Sequence, residues 1–247
     1  MTPNESNLWR AWGAVMRIYS SVVLLVIIFG LTVGHHSLRA QSLQLMDLKQ
    51  NLDLPFNGGL VERDRIRFYG SDYELDGIFY VIDRSGSMQS SGELQIAKRE
   101  VVENIGELSP EVQFGIVFFD RGITKFPSSG RPADANAAMK AAAINYIQSV
   151  PGGGGSCVQQ GLVEALLFAN LSTAERKVLL YVGDGGGTCN GANEQTYLSQ
   201  TLSVVTSQNH QRTQIDSIGV LDLGVIHEDF LQTLSHMNYG VYRKITR

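Results

Sequence analysis

Two hydrophobic patterns alternate along the chain from residue 76 onward. Short apolar runs rich in β-branched and aromatic residues are typical of buried strands, whereas apolar residues recurring every three or four positions are typical of helices. The first pattern predicts strands at residues 77–82, 112–119, 123–126, 178–182, 214–220 and 240–245. The second predicts helices at residues 93–108, 133–150, 157–170, 193–209 and 227–237.

Strands that alternate with helices in this way predict an α/β fold. We expect a three-layer, doubly wound (Rossmann-like), mostly parallel sheet with helices on both faces, spanning residues 76–247. Residues 41–75 are predicted to be a connector. Its alternating segment at residues 65–69 fits an edge strand and a solvated tether equally well.

Residues 1–40 are predicted to be an N-terminal membrane anchor or signal segment that contains a hydrophobic helix and lies outside this domain. Residues 18–34 are uncharged and mostly apolar, close to the roughly 20 residues that cross a bilayer. They fit a membrane anchor that leaves the domain extracytoplasmic. They also fit a signal peptide, because residues 38–40 are a tolerable cleavage site, and cleavage would give a secreted protein. A buried soluble helix is the third alternative.

Composition narrows the function classes. The net charge of −4 over 247 residues gives no case for nucleic-acid binding. The two cysteines, Cys157 and Cys189, fit either small core thiols or, in an exported protein, a single disulfide.

A carboxylate and two hydroxyls follow the first predicted strand on alternate residues, in the order Asp83, Ser85 and Ser87. Ligand sites in open α/β sheets collect at the carboxyl ends of strands. Hard divalent cations prefer oxygen ligands, and Mg²⁺ keeps several waters rather than taking a full protein cage. These three residues therefore predict a cation site that stays open to a further ligand.

Two further loops carry oxygen ligands beside glycine runs. Glycines at residues 152–155 precede Ser156, which stands just before a predicted helix and also fits a plain N-cap. Asp184 follows the strand predicted at 178–182, as Asp83 follows its own strand, and glycines come after it. The three loops are expected to meet at one edge of the sheet.

Together these motifs resemble the von Willebrand factor type A (VWA) family over residues 76–247. The resemblance rests on Asp-x-Ser-x-Ser after the first strand, Gly-Gly-Ser before a helix, and Asp-Gly after the next central strand. It implies a metal-ion-dependent adhesion site in which Ser85 and Ser87 contact one divalent cation directly. Ser156 stands where the family usually has Thr, and Asp83 and Asp184 act mainly through water.

The resemblance also bears on the ligand of the cation, on Gly183 and on the two cysteines. An exposed Asp or Glu of a partner protein fills the last coordination position of the cation. The implied cation is Mg²⁺, and the residues do not distinguish it from Mn²⁺ or Ca²⁺. Gly183 replaces a common Thr or Ser, which loosens local hydrogen bonding but removes no ligand. Loops that share one ion lie close together, so Cys157 and Cys189 come within range of a disulfide that would make the site rigid.

Enzyme motifs are incomplete in this chain. No Lys stands before Ser156 as a phosphate-binding loop requires, and His227, Glu228 and His236 lack the His-Glu-x-x-His spacing of a zinc site. Asp83 follows the first strand, as the aspartyl nucleophile of some phosphatases does. Such enzymes usually have a second acidic residue two positions later, where this chain has Ser85. We therefore expect a binding protein and no enzyme.

The predicted function is metal-dependent protein binding, in which a divalent cation held by the Asp-x-Ser-x-Ser site recognises an acidic side chain. The alternative is a structural envelope or assembly component that packs against partner subunits without using the metal.

Overall fold

The structure, a computed structural model, describes residues 65–189, 191–220 and 223–245. Its strands are β1 (Arg65–Phe68), β2 (Ser71–Glu74), β3 (Gly77–Asp83), β4 (Gln113–Phe119), β5 (Ile123–Phe126), β6 (Ala133–Asp134), β7 (Lys177–Gly183), β8 (Gln214–Val220) and β9 (Tyr242–Ile245). Its helices are α1 (Gly86–Ser91), α2 (Glu93–Glu107), α3 (Ala137–Ser149), α4 (Val158–Leu171), α5 (Glu194–Gln208) and α6 (Val225–Met237). All six strands predicted from residue 76 onward are confirmed.

The predicted N-terminal helix, with its candidate membrane segment at 18–34, lies outside the described residues. Of the helices that are described, none combines the length and the apolar character needed to cross a membrane.

The main sheet has the strand order β5-β4-β3-β7-β8-β9, and β6 pairs with β4 beside β5. Strands β4, β3, β7, β8 and β9 run parallel, while β5 and β6 are antiparallel to β4. Helices cover both faces of this sheet. The predicted fold class, a mostly parallel sheet between two helical layers, is confirmed.

Side chains of the central strand β3 alternate between two hydrophobic cores. Ile78, Tyr80 and Ile82 point to the face that carries α2, α3 and the β1–β2 hairpin. Phe79 and Val81 point to the face that carries α4, α5 and α6. All five side chains are fully buried, so a one-residue slip in the register of β3 would exchange the two sets.

The chain leaves β3 and β7 in opposite directions. After β3 it passes through α2 on one face to reach β4, and after β7 it passes through α5 on the other face to reach β8. Neighbouring strands whose connections diverge in this way leave a crevice at their carboxyl ends, which is where ligands bind in open α/β sheets. The topology therefore positions the loops after β3 and β7 around one crevice.

A β1–β2 hairpin precedes the main sheet and forms an antiparallel sheet of its own. Ile66 and Phe68 of β1, Tyr73 of β2 and Leu75 after it are buried in the core that α2 also lines. The alternation at residues 65–69 left an edge strand and a solvated tether open, and the structure has the strand β1. The polar residues of β2 gave no such signal, because its outward side chains alternate with a single buried tyrosine.

The helix predicted at 133–150 begins too early. Ala133 and Asp134 form β6, which pairs with Gln113 and Phe114 at the start of β4. The side chain of Asn136 accepts the N–H of Met139 at 3.0 Å and so caps α3, which starts at residue 137. Strand pairing and this N-cap outweigh the helix propensity of the alanines that precede them.

A buried carboxylate links the hairpin to strands β8 and β9. Asp216, 2% exposed, accepts hydrogen bonds from the Tyr73 hydroxyl at 2.7 Å and from Gln214 Nε2 and Val241 N at 2.9 Å each. Arg243 lies 3.7 Å from the same carboxylate and stacks over the ring of Tyr73. Burial, and then the charge of Asp216, raise the pKa of Tyr73 well above its ordinary range, so the phenol remains a donor.

We expect Asp216→Ala to destabilise the protein by about 3–5 kcal/mol, because Arg243 and three hydrogen-bond donors lose a buried partner. Urea unfolding followed by circular dichroism measures this loss. Asp72→Ala is the matched control, since Asp72 is exposed on β2 and only 3.9 Å from Arg67; its effect should stay within about 0.5 kcal/mol. Equal stabilities for the two variants would contradict the role assigned to Asp216.

Candidate metal centre

The first loop of the crevice begins where β3 ends at Asp83. The Oδ1 atom of Asp83 accepts the backbone N–H of Ser85 at 2.7 Å, which turns the chain directly into the short helix α1. This turn places the hydroxyl oxygens of Ser85 and Ser87 3.1 Å apart. Asp83 and Ser85 are buried, whereas Ser87 is exposed, so the loop presents its oxygens from the floor of the crevice to its rim.

The second loop, residues 152–155, is held against the first by backbone hydrogen bonds. The N–H of Gly153 donates to the carbonyl of Arg84 at 2.8 Å, and the N–H of Gly86 donates to the carbonyl of Gly154 at 3.1 Å. Gly153 and Gly154 have φ values of 126° and 93°, which side-chain-bearing residues rarely adopt. The loop delivers the Ser156 hydroxyl, which donates to Asp83 Oδ2 at 3.1 Å.

The third loop carries Asp184 directly after β7. Its Oδ2 atom accepts the hydroxyl of Ser87 at 2.5 Å, and its Oδ1 atom accepts the N–H of Gly186 at 3.1 Å. The structure therefore brings all five predicted residues into one hydrogen-bonded network, which runs in the order Ser156, Asp83, Ser85, Ser87 and Asp184. Their assignment as metal ligands stays a prediction.

Electrostatics make this network unfavourable for two bare carboxylates. Burial first, and then the nearby charge of Asp184, raise the pKa of Asp83 to about 7, although hydrogen bonds from Ser85 and Ser156 oppose the shift. A divalent cation fits such a donor set, because its charge would offset both carboxylates and the hydroxyl oxygens have lone pairs to offer.

The chemistry of the donors narrows the kind of metal. Across the described residues, no group of three or more His, Cys, Asp or Glu side chains is arranged to hold a metal. The crevice offers hydroxyl and carboxylate oxygens instead, which suit Mg²⁺, Mn²⁺ or Ca²⁺ better than zinc or copper.

One family model matches the part of the chain that builds this crevice. The model of the von Willebrand factor type A domain aligns with residues 78–187. The chain contains a von Willebrand factor type A domain. The match begins in β3 and ends three residues after Asp184, so it includes every residue of the oxygen network.

Similar proteins agree with this VWA assignment. Inter-alpha-trypsin inhibitor heavy chain H4 of Homo sapiens is 24% identical over 212 residues, and the match covers 80% of this chain but only 22% of the relative. A von Willebrand factor type A structure from Catenulispora acidiphila has a TM-score of 0.60 at 19% identity, covering 70% of this chain and 39% of that one.

Two pilus proteins share the same fold. The pilus adhesin SpaC from Lactobacillus rhamnosus GG has a TM-score of 0.52 at 17% identity, covering 68% of this chain and 27% of that one. The vWF domain of the type V pili tip protein Mfa5 from Porphyromonas gingivalis has a TM-score of 0.52 at 13% identity, covering 73% of this chain and 90% of that domain. Likeness at this level of identity establishes the fold alone.

A disulfide joins two loops of the VWA site. Cys157 follows Ser156 directly, Cys189 lies five residues after Asp184, and their sulfurs are bonded with a Cα–Cα distance of 4.8 Å. The bond ties the start of α4 to the loop after β7. Of the two alternatives that the sequence left open, the structure has the disulfide.

Two contacts between side chains stabilise the loops, and the sequence motifs did not reveal either. Arg84, in the first loop, lies 3.2 Å from Asp120, which follows β4. Glu194, at the start of α5, accepts the N–H of Gly187 at 2.9 Å and lies 3.1 Å from His227 Nε2. Asp120 follows its strand as Asp83 and Asp184 follow theirs, so the rule about strand ends would have identified it.

Gly183 departs from the family pattern for a steric reason. A Cβ atom at this position would lie 2.6 Å from the Tyr181 hydroxyl and 2.8 Å from Asp83 Cβ. The fully buried Tyr181 therefore occupies the space in which a Thr or Ser side chain would sit. The tyrosine ring packs beneath the site and excludes any larger residue before Asp184.

We expect thiol titration of the unfolded, unreduced protein to detect no free thiol. Because the bond closes a segment with a sequence separation of 32, the double variant Cys157→Ser/Cys189→Ser should lose roughly 3–4 kcal/mol of stability. Urea unfolding without reductant provides the comparison. Two reactive thiols in the untreated protein would contradict the disulfide.

Proposed function

We propose that the VWA domain binds a partner protein through one divalent cation, Mg²⁺ or its substitutes Mn²⁺ and Ca²⁺. The observation that carries this proposal is the network of five oxygen-bearing side chains from three loops. Four of these residues, Ser85, Ser87, Ser156 and Asp184, line an open cleft of 740 Å³ at the point where the sheet connections diverge, and the fifth, Asp83, is buried. A cleft with a buried floor and an exposed rim can admit a side chain from another molecule.

The predicted ligands are of two kinds, charged carboxylates and neutral hydroxyls. Asp83 and Asp184 supply two negative charges, and Ser85, Ser87 and Ser156 supply neutral oxygens that do not cancel the positive charge of the ion. The bound ion would supply an unfilled position for a carboxylate of the partner. The side-chain contacts that stabilise the loops, together with the disulfide, hold these oxygens in place before the partner arrives, which lowers the entropic cost of binding.

We propose binding rather than catalysis. His227, the histidine that packs against the Asp184 loop, has its Nε2 atom 3.1 Å from Glu194, and among the described residues its ring forms no hydrogen bond with Ser85 or Ser87. A divalent ion and a partner carboxylate suffice for recognition, and they need no nucleophile.

An extracytoplasmic location is part of the proposal. Disulfides persist in oxidising compartments, and the chain carries one at its site. The likeness in fold to a pilus adhesin and to a pili tip protein supports an adhesion or interaction module at a cell surface. Residues 18–34 would provide the membrane anchor, or their cleavage would release a secreted form.

The alternative is an envelope or assembly component that packs against its partners without the ion. Chelation separates the two functions, because capture of a partner that is unaffected by EDTA would favour packing alone. The buried and mutually repelling carboxylates favour the metal-dependent function, since packing alone gives no reason to keep them together.

We expect Asp83→Asn to abolish Mg²⁺ binding in titration calorimetry while the fold is kept. Burial and the charge of Asp184 disfavour an ionised Asp83, so without metal the variant should be at least as stable as the parent protein. Mg²⁺ at about 100 times its Kd should stabilise the parent by about 2.7 kcal/mol and leave the variant unchanged.

Asp134→Asn is the control for this experiment. Asp134 is exposed on β6, which pairs with the amino end of β4, away from the crevice. The control should bind Mg²⁺ as the parent does. Unchanged Mg²⁺ affinity in Asp83→Asn would count against the metal site.

A further inference from the structure

One positively charged side chain on the wall of the cleft takes no part in the oxygen network. Arg121 lines the same cleft as Ser85, Ser156 and Asp184. It reaches this position because it follows β4 by two residues, at the carboxyl edge of the sheet where β3 and β7 also end. The role inferred for Arg121 rests on the proposed function, because it concerns the partner protein that the metal site would bind.

The neighbouring charged groups already have partners. Asp120 Oδ1 accepts from Arg84 Nη2 at 3.2 Å and from the N–H of Gly122 at 2.7 Å. Glu194, on another part of the cleft wall, is engaged by Gly187 and His227. Arg121 itself is exposed, and its guanidinium forms no hydrogen bond or ion pair with any residue in the described ranges.

The side chain of Arg121 lies over Gly155. A Cβ atom at Gly155 would be 3.0 Å from Arg121 Nε and 3.3 Å from its Cγ, so the missing side chain makes room for the arginine. Gly155 precedes Ser156, and consecutive Cα atoms are about 3.8 Å apart. The arginine side chain therefore lies along the glycine loop that leads into Ser156, and both residues line the cleft.

A positive charge in this place opposes the binding of a metal ion by itself. Like charges at short range repel, and a cleft that only had to hold Mg²⁺ would gain from a neutral residue here. An anionic ligand reverses the balance, because the guanidinium presents planar donors that match a carboxylate. The position of Arg121 is explained by the ligand of the ion rather than by the ion.

We infer that the partner presents an acidic segment with two neighbouring carboxylates, one for the ion and one for Arg121. Arg121 is then a specificity-determining residue that distinguishes such a segment from a lone Asp or Glu. An exposed ion pair of this kind contributes up to about fivefold in affinity.

Small acids serve as probes because the partner is unidentified. Succinate and glutarate carry two carboxylates at two spacings, and their monoamides, succinamate and glutaramate, keep the size but lose one charge. The full chain is loaded with Mn²⁺, and displacement of metal-bound water by each acid is followed through water-proton relaxation. Mn²⁺ with each acid in the absence of protein corrects for complexes in solution.

The parent protein should bind at least one diacid about fivefold more tightly than its monoamide. In Arg121→Gln the preference for the diacid should shrink to what its second carboxylate gains at the ion itself, and the Mn²⁺ affinity should not fall, because a repelling charge has been removed. Arg131→Gln makes the same charge change at an exposed position beside β6 and should behave as the parent does.

Each contrary outcome has a separate meaning. Mn²⁺ binding with no preference for either diacid, or a preference as large in Arg121→Gln as in the parent protein, overturns the role of Arg121 and leaves the metal site intact. Absence of Mn²⁺ binding in the parent protein overturns the proposed function and the role of Arg121 together.

Discussion

Asp83 and Asp184 bring two like charges into one small region at the carboxyl edge of the sheet, and Asp83 is fully buried there. Placing a carboxylate in such surroundings is unfavourable unless hydrogen bonds or a cation compensate for it. Three serine hydroxyls and a backbone N–H provide part of that compensation. The rest of the architecture can be understood as a means of holding these groups together.

The fold serves this constraint at three levels. The connections after β3 and β7 diverge and so open the crevice. The fully buried cores on both faces fix the positions at which these two strands end. Backbone hydrogen bonds then attach the glycine loop at residues 152–155 to the loop after β3. The bond between Cys157 and Cys189 finally connects that glycine loop to the loop after β7. Each level restrains a different pair of loops, so none of them is redundant.

Much of this arrangement could be predicted from the sequence, because local pattern and topology agree. The strand ends at Asp83 and Asp184 follow from apolar runs, and their approach follows from a parallel sheet. Contacts between distant segments carry no comparable signal. The packing of Tyr181 under Gly183, the link from Tyr73 to Asp216, and the position of Arg121 over Gly155 depend on three-dimensional proximity alone. The misplaced start of α3 shows the same limit, since a pairing with β4 decided it.

The central claim is that oxygens from three separate loops hold one divalent cation. A crystal structure of the protein grown with Mn²⁺, with diffraction data collected at the manganese absorption edge, tests it most directly. We expect one anomalous peak in the cleft, bonded to the hydroxyl oxygens of Ser85, Ser87 and Ser156, with the carboxylates of Asp83 and Asp184 around it. A peak elsewhere on the domain, or none while those hydroxyls stay hydrogen-bonded to the two aspartates, would contradict the account.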